Sequence, residues 1–291
     1  MKRTTGEKIF NVFNIILMIG VIVTCLYPVY YTIVASVSNS DMLMAHRGIL
    51  LTPLGMSFAA YEKIGQNSMV TTGFLNTFFV LITGVTINVL LTLLGGYFLS
   101  RKNVKWKNVF MVMVVITMYF NGGLVPTYLT VKSVGLENSL WSLIIPTAVN
   151  TFNLIIMRTG FQSIPDEMEE AARIDGAGHM TILFKICVPV IKATIAVILL
   201  YYAVGHWNSW FNASIYIKDR NLYPIQLVLR EILIQSNTAS MTTGVDSGDV
   251  ESIAESIKYA LIVVTTVPIL CIYPFLQRFF EKGVMVGSVK G

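Results

Sequence analysis

Six long apolar runs, nearly free of charged residues, constrain this chain more than any other feature of its sequence. A helix needs only about 20 residues to cross the roughly 30 Å hydrocarbon core of a bilayer. Of the 291 residues, 54% are hydrophobic and only 13% are charged, against the roughly 25% charged residues of a soluble domain. We predict one all-α membrane domain over residues 1–291, with spans at about residues 9–36, 71–100, 108–131, 139–158, 184–212 and 258–280.

The positions of Lys and Arg predict the orientation of these spans, because cytoplasmic loops carry an excess of both residues. Basic residues cluster before the first span, between the second and third, and around the fourth-to-fifth connection: Lys2, Arg3, Lys8, Arg101, Lys102, Lys105, Lys107, Arg158, Arg173 and Lys185. Those segments and both termini should lie in the cytoplasm, with outer loops at about residues 37–70 and 213–257. A cleaved signal peptide is the alternative for the N-terminus, although the first run exceeds the 7–15 residues of a signal core.

The polar segment at residues 164–189 joins the fourth and fifth predicted spans. Pro165 suits the first position of a helix, and the acidic residues that follow it suit the positive end of the helix dipole. Gly176 and Gly178 should end this helix, which we place at about residues 165–178. Four residues with compact or flexible side chains recur in it at three- and four-residue steps: Met168, Ala171, Ala172 and Asp175. This low-profile stripe predicts a surface that a partner protein can approach closely.

Two stretches are candidate parts of a translocation path. The third span is interrupted by Asn and Gly residues and by Pro126, and irregular backbone at membrane depth is tolerated only inside protein or beside a cavity. The outer end of the fifth span places aromatic rings beside amides, which suits the ring faces and hydroxyls of a sugar. Because Trp and Tyr also collect at any membrane interface, an interfacial belt is the alternative. The candidate path residues are Tyr119, Asn121, Gly122, Gly123, Trp207, Asn208 and Trp210.

Small and polar residues follow a mostly helical spacing along the second span: Thr77, Gly84, Asn88, Thr92 and Gly95. Such a face predicts close helix packing, with a polar lining of the path as the alternative. His206, in the fifth span, is predicted to be a hydrogen-bonded packing residue and not a catalyst.

Several motifs for catalysis are absent from the sequence. A Walker phosphate loop needs Lys directly after Gly, and that pair never occurs here, so ATP hydrolysis must come from another subunit. The sequence has no His-Glu-x-x-His zinc pattern and no Gly-x-Ser-x-Gly elbow. Its three cysteines lack metal-type spacing. We predict a chain without a catalytic residue, a metal or a cofactor of its own.

The connecting segment resembles the EAA motif of binding-protein-dependent ABC importers. The pattern is Glu-Ala-Ala, then Asp-Gly-Ala, then Ile-x-x-Pro, and it is carried by Glu170, Ala171, Ala172, Asp175, Gly176, Ala177, Ile186 and Pro189. Nearly the whole chain is similar to carbohydrate permeases of the maltose-transporter G-subunit type, including the ending at residues 277–291. The stretches at residues 120–127 and 153–158 resemble the complex-oligosaccharide branch of that group.

This resemblance implies the type I ABC importer permease fold in a bacterial cytoplasmic membrane. It also implies a second permease subunit, a cytoplasmic ATPase dimer that binds ATP and Mg²⁺, and an extracytoplasmic substrate-binding protein. In the maltose system the other permease subunit supplies the visible sugar contacts, which limits the sugar-site interpretation here. The residues implied to couple to the ATPase are Glu170, Ala171, Ala172, Asp175, Gly176, Ala177, Pro189, Lys290 and Gly291.

Three alternatives to sugar import remain at this point. A permease of the same architecture could carry an amino acid, a peptide or a polyamine. An ion-coupled secondary transporter normally needs ionisable groups at mid-membrane, and the predicted spans lack them. A membrane-embedded signalling or scaffold subunit would carry no solute at all.

Overall fold

The computed structural model describes residues 5–242 and 256–271, and within these ranges it contains helices and no β-strand. The all-α prediction is therefore confirmed for the described residues. The α-helices are α1 (Thr5–Ser36), α2 (Ser40–Ala45), α3 (Ala59–Gln66), α4 (Ser68–Ser100), α5 (Lys107–Tyr119), α6 (Leu124–Ser133), α7 (Thr151–Gln162), α8 (Asp166–Ile174), α9 (His179–Thr181), α10 (Val188–Val190), α11 (Lys192–Trp207), α12 (Trp210–Tyr216), α13 (Ile225–Thr242) and α14 (Ser256–Cys271). Short 3₁₀ helices occupy Leu140–Leu143 and Arg220–Leu222, and a π-helix occupies Ile182–Cys187.

The chain divides into two compact units, the first made of Met1–Ser68 and Leu229–Val267 and the second containing Met69–Val228. In the first unit, the predicted outer loop folds back on the end of α1. The Tyr30 hydroxyl donates to the carbonyl of Leu51 (2.5 Å), and the Tyr27 hydroxyl accepts the N–H of Leu50 (3.1 Å). Residues 37–70 therefore form two short helices and an anchored turn, more ordered than the loop we expected.

In the second unit, only one of the predicted spans is a single straight helix, α4. The expected interruption of the third span is confirmed, because α5 and α6 meet at an angle of 117° across residues 120–123. The prediction of a continuous fourth span at residues 139–158 is wrong. After the 3₁₀ helix the chain passes through Pro146, which cannot donate a helical hydrogen bond, and α7 begins only where Asn150 Oδ1 accepts the N–H of Asn153 (3.1 Å).

The fifth predicted span, residues 184–212, is also broken. Helices His179–Val190 and Lys192–Trp207 meet at 87°, next to Pro189. By length and composition, two described helices can cross a bilayer, and up to four crossings result if each bent pair counts as one. The sixth predicted span, at residues 258–280, is described only as far as residue 271, and the predicted outer loop at residues 213–257 contains the helix α13.

Glycines on α4 and α7 allow close helix contacts in the second unit. A Cβ at Gly84 would lie 2.6 Å from Nε2 of His206, and a Cβ at Gly96 would lie 2.6 Å from Cγ of Met157. A Cβ at Gly160 would lie 3.0 Å from Cγ2 of Thr194. The buried residues of α4 include Thr77, Asn88 and Thr92, so the packing face predicted from the sequence is confirmed. Hydrogen bonding of His206, from its Nε2 to Asn88 Oδ1 (3.3 Å), is also as predicted.

The substitution Gly84→Ala tests this packing. The added Cβ would push the His206 ring away from Asn88, and overpacking of this kind costs about 1–3 kcal/mol. We expect a lower midpoint of thermal unfolding in detergent than for the matched variant Gly20→Ala, whose Cβ meets nothing within 4 Å in the chain. Equal midpoints for the two variants would show that the packing of α4 against α11 does not require a glycine at position 84.

A polar clamp fastens the turn after α6 to the end of α12. Asn138, at a φ of 59°, accepts the backbone N–H groups of Lys218 (2.9 Å) and Asp219 (2.8 Å) on its Oδ1 atom. Glu137 accepts hydrogen bonds from the Tyr128 hydroxyl (2.6 Å) and from Lys218 Nζ (2.8 Å). These bonds hold the pKa of the Glu137 carboxyl below its usual range. The clamp keeps two helices together at one end of the second unit.

Candidate functional site

The helix α8 begins one residue later than predicted. Pro165 has φ −57° and ψ 137°, so it precedes the helix, and Asp166 is the first helical residue. The first turn carries Asp166, Glu167 and Glu169, which place negative charge at the positive end of the helix dipole. A short helix in a polar loop gains stability from this arrangement.

The Asp-Gly-Ala sequence after α8 forms a Schellman motif. Gly176 has a φ of +80°, its N–H donates to the carbonyl of Arg173 (3.0 Å), and the N–H of Ala177 donates to the carbonyl of Ala172 (2.9 Å). The helix therefore ends at Ile174, before the predicted boundary at residue 178. We call residues 166–178 the elbow.

The elbow packs on the rest of the second unit through two alanines, of which Ala172 is buried and Ala177 is half-buried. Ala172 and Ala177 pack into a hydrophobic cluster with Phe161 and Ile164 from the end of α7 and with Leu183 of the π-helix. The same cluster continues to α4 and α11 through Leu93, Tyr97, Ile198 and Tyr202. The elbow therefore shares one hydrophobic cluster with α4, α7 and α11.

A group of charged residues ties the elbow to the end of α4. Glu169 forms ion pairs with Arg101 and with Arg173 (2.7 Å), and the side chains of Glu169 and Arg101 are only 11% and 13% exposed. The Arg101 guanidinium lies 4.6 Å from the centre of the Tyr97 ring. Burying these charges is tolerated because each has a charged or aromatic partner.

A second, exposed ion pair joins Lys102 to Asp166 beside a cleft of about 690 Å³ between the end of α4 and the elbow. The hydrogen bond to Asp166 raises the pKa of Lys102. In the sequence, Arg101 and Lys102 were identified only as charges that set the orientation of the spans. Their ion pairs were missed because the partners are far apart along the chain and no local spacing signals them.

The outer face of the elbow is exposed and partly apolar. Ile174 is 86% exposed and Met168 is 41% exposed, and Glu170, Ala171, Asp175 and Gly176 are also exposed. The predicted stripe of small residues is thus divided, because Ala172 faces the hydrophobic cluster while the others face outward. Exposed large apolar side chains beside acidic ones form a surface suited to a partner protein.

The Ile-x-x-Pro part of the segment gives a π-helical turn. Pro189 has no N–H, so the carbonyl of Lys185 loses its usual helical partner, and the N–H of Val188 donates to the carbonyl of Leu183. Pro189 itself is exposed in α10, next to the 87° bend. Lys290 and Gly291, the other predicted coupling residues, lie outside the described residues.

The predicted path residues lie in two separate settings. Asn121 Oδ1 accepts the N–H of Gly123 (2.9 Å), which has φ +87°, and Gly122 and Tyr119 beside them are exposed. Trp207 is buried against Phe78, with ring centres 6.0 Å apart, and Asn208 donates to its own helix at the carbonyl of Val204 (2.9 Å). Trp210 packs on a hydrophobic cluster around Leu143, Ala213 and Tyr216. Within the described residues, no hydrogen bond or ring contact joins Asn121 to Trp207.

Comparisons with known proteins cover almost the whole chain. A family model described as a binding-protein-dependent transport system inner membrane component matches residues 92–286. Protein LplC of Bacillus subtilis (strain 168) is 38% identical over 291 residues, 100% of this chain and 98% of that protein. The polygalacturonan/rhamnogalacturonan transport system permease protein YtcP of the same organism is 39% identical over 285 residues, 96% of this chain and 97% of that protein. The crystal structure of a bacterial ABC transporter involved in the import of the acidic polysaccharide alginate contains a chain with TM-score 0.87 and 29% identity, and the match covers 96% of this chain and 99% of that chain.

Proposed function

The chain belongs to the binding-protein-dependent transport system inner membrane component family, and on that premise we propose that it forms one half of the translocation path of an ATP-driven importer. It is a permease subunit of an ABC importer for oligosaccharides. The names of YtcP and of the alginate importer support a polymeric sugar as the source of the substrate.

The elbow is the contact with the cytoplasmic ATPase dimer. The observation that carries this role is the combination of an exposed face, with Ile174 at its end, and a buried face that packs through Ala172 on the cluster shared with α4 and α11. A motor that moves the exposed face must therefore move the longer helices. Glu170, Ala171, Asp175 and Gly176 would meet the ATPase, and Lys290 and Gly291 would add a second contact.

The remaining partners and the placement in the membrane follow from the same proposal. A second permease subunit completes the path, an extracytoplasmic protein delivers the sugar, and the ATPase dimer binds ATP and Mg²⁺. This chain has no catalytic role, both of its termini lie in the cytoplasm, and its membrane is the bacterial cytoplasmic membrane with six spans. The segments around Asn121 and around Trp207 line the path.

Reconstitution of the complex purified with its native partners tests this function. We expect ATP-dependent accumulation of a labelled, partly methyl-esterified oligogalacturonide in proteoliposomes, unaffected by a protonophore and lost when the ATPase is inactivated. An ion-coupled transporter would instead lose import with the protonophore and keep it without ATP. A chain that purifies without any ATPase would contradict the proposal.

A further inference from the structure

A cavity of about 390 Å³, lined by amide, hydroxyl and aromatic side chains, lies within the second unit, between α4, the start of α7 and α11. This volume is at the lower end of the roughly 300–1,000 Å³ of ligand pockets. Two hydrogen bonds hold its wall: the side-chain amide of Asn88 donates to the carbonyl of Thr147 (2.8 Å), and His206 Nε2 donates to Asn88 Oδ1 (3.3 Å). No Asp, Glu, Lys or Arg is among the residues that line it. The cavity therefore offers no carboxylate, ammonium or guanidinium group to a ligand.

Two buried polar side-chain groups that line this cavity have no hydrogen-bond partner within the described residues. Asn153 is only 4% exposed, and its backbone N–H makes a bond while its side-chain amide makes none. The Ser209 hydroxyl is buried and also unpaired, and the amide of the half-buried Asn212 lines the same cavity. Buried polar groups are normally paired. Two unpaired ones at a single cavity point to a ligand that supplies hydroxyl groups.

An aromatic pair lies at the same cavity. The rings of Phe152 and Tyr201 are 6.2 Å apart at 47°, and both side chains are about half exposed. Aromatic rings take the apolar faces of a sugar, while amides and hydroxyls bond its edges. The cavity provides both kinds of group and no charge for a carboxylate.

We propose that this cavity binds one uncharged sugar ring of the transported chain. The proposal rests on the function proposed above and adds that this subunit itself contacts substrate through Asn153 and Ser209, with Asn212 at the wall of the cavity. None of the path residues predicted from the sequence lines this cavity. Because no charged side chain lines the cavity to pair with a carboxylate, an uncharged ring, or a uronic acid whose carboxyl is esterified, should bind here better than a free uronate.

Protection of an introduced thiol tests the proposal in the intact importer. Cys25 and Cys271, which are exposed, are replaced by Ser, and the buried Cys187 is retained. Asn212→Cys is then labelled in nanodiscs with a water-soluble methanethiosulfonate reagent. We expect millimolar methyl-esterified trigalacturonide to slow labelling about fivefold, because a pocket covers most of the surface of its ligand. Free trigalacturonide should slow it less.

Two matched variants complete the experiment. Ser133 is the exposed last residue of α6 and lies outside the cavity, so labelling of Ser133→Cys should not respond to either sugar. Asn153→Ala, added to Asn212→Cys, should leave the thiol reactive and remove the protection. Protection that survives Asn153→Ala, or that free trigalacturonide gives equally well, would overturn the proposal.

Other outcomes separate this inference from the function on which it rests. If the parent complex imports oligosaccharides but neither sugar protects Asn212→Cys, the cavity does not bind substrate and the function stands. A thiol at position 212 that the reagent never reaches also rejects the cavity. If the parent complex imports no sugar, the proposed function itself fails and takes the inference with it.

Discussion

Replacing Gly176 with valine is expected to reduce sugar import about tenfold or more while the chain still inserts into the membrane. Gly176 holds a φ of +80°, and a side chain in the left-handed region costs roughly 1–2 kcal/mol, more when it is β-branched. Position 176 needs glycine for this backbone angle and not for lack of space, because a Cβ there would meet nothing within 4 Å in the chain. Loss of the Schellman bonds would free Ala177 from Ala172 and so detach the elbow from the hydrophobic cluster. The measurement is ATP-dependent uptake in proteoliposomes, together with the rate of ATP hydrolysis.

Two variants separate the backbone angle from bulk. Gly178 lies in the same elbow with equally open space but a φ of −73°, so Gly178→Val adds the same side chain without the strain. Gly176→Asn keeps a residue that tolerates the left-handed region. We expect both to retain most of the uptake. If Gly176→Val imports as well as the parent, the elbow does not couple the ATPase to transport.

Replacing Arg101 with alanine should destabilise the second unit strongly. Glu169, whose side chain is 11% exposed, would keep only the half-exposed Arg173 as a partner. Breaking a buried pair by removing one member costs up to about 3–5 kcal/mol, because a carboxylate stays buried without compensation. We expect a large drop in the unfolding midpoint of the purified complex and a matching loss of uptake.

The control for this prediction uses the second arginine of the same group. Arg173 is more exposed, so Arg173→Ala should cost much less than Arg101→Ala. The double variant Arg101→Met with Glu169→Met removes both charges and should recover most of the stability, since an apolar pair of similar size suits a buried site. Equal midpoints for Arg101→Ala and Arg173→Ala would mean that Arg101 does not anchor the elbow.

Much of the elbow could be predicted from the sequence because its chemistry is local. Acidic residues in the first turn, a glycine with a left-handed φ and a proline without an N–H each act within a few residues. The same holds for the break at residues 120–123, where Gly123 has a positive φ. The boundaries moved by one to four residues, because the Schellman bonds and not the second glycine decide where α8 ends.

The remaining features depend on contacts between distant segments or on hydrogen bonds that hydropathy does not count. The fourth span was predicted as continuous because Pro146 and Asn150 lie in an apolar run, yet the proline lacks a donor and the asparagine caps a helix. Arg101 and Glu169 meet only once α4 and α7 have packed through Gly96. The cavity lined by Asn153 and Asn212 is formed by residues of separate helices that come together only in the folded chain, so no spacing in the sequence predicts it.

The length of α1 has a consequence for the membrane around it. The candidate span Gly6–Ser36 has 31 residues, and its most apolar stretch has no residue buried within the chain; at about 1.5 Å per residue it measures roughly 46 Å. A hydrocarbon core of about 30 Å is shorter than this. The helix can fit by extending its polar ends into the headgroups, by leaning away from the bilayer normal or by stretching the lipid tails around it. We therefore expect thicker membranes to hold this helix more upright.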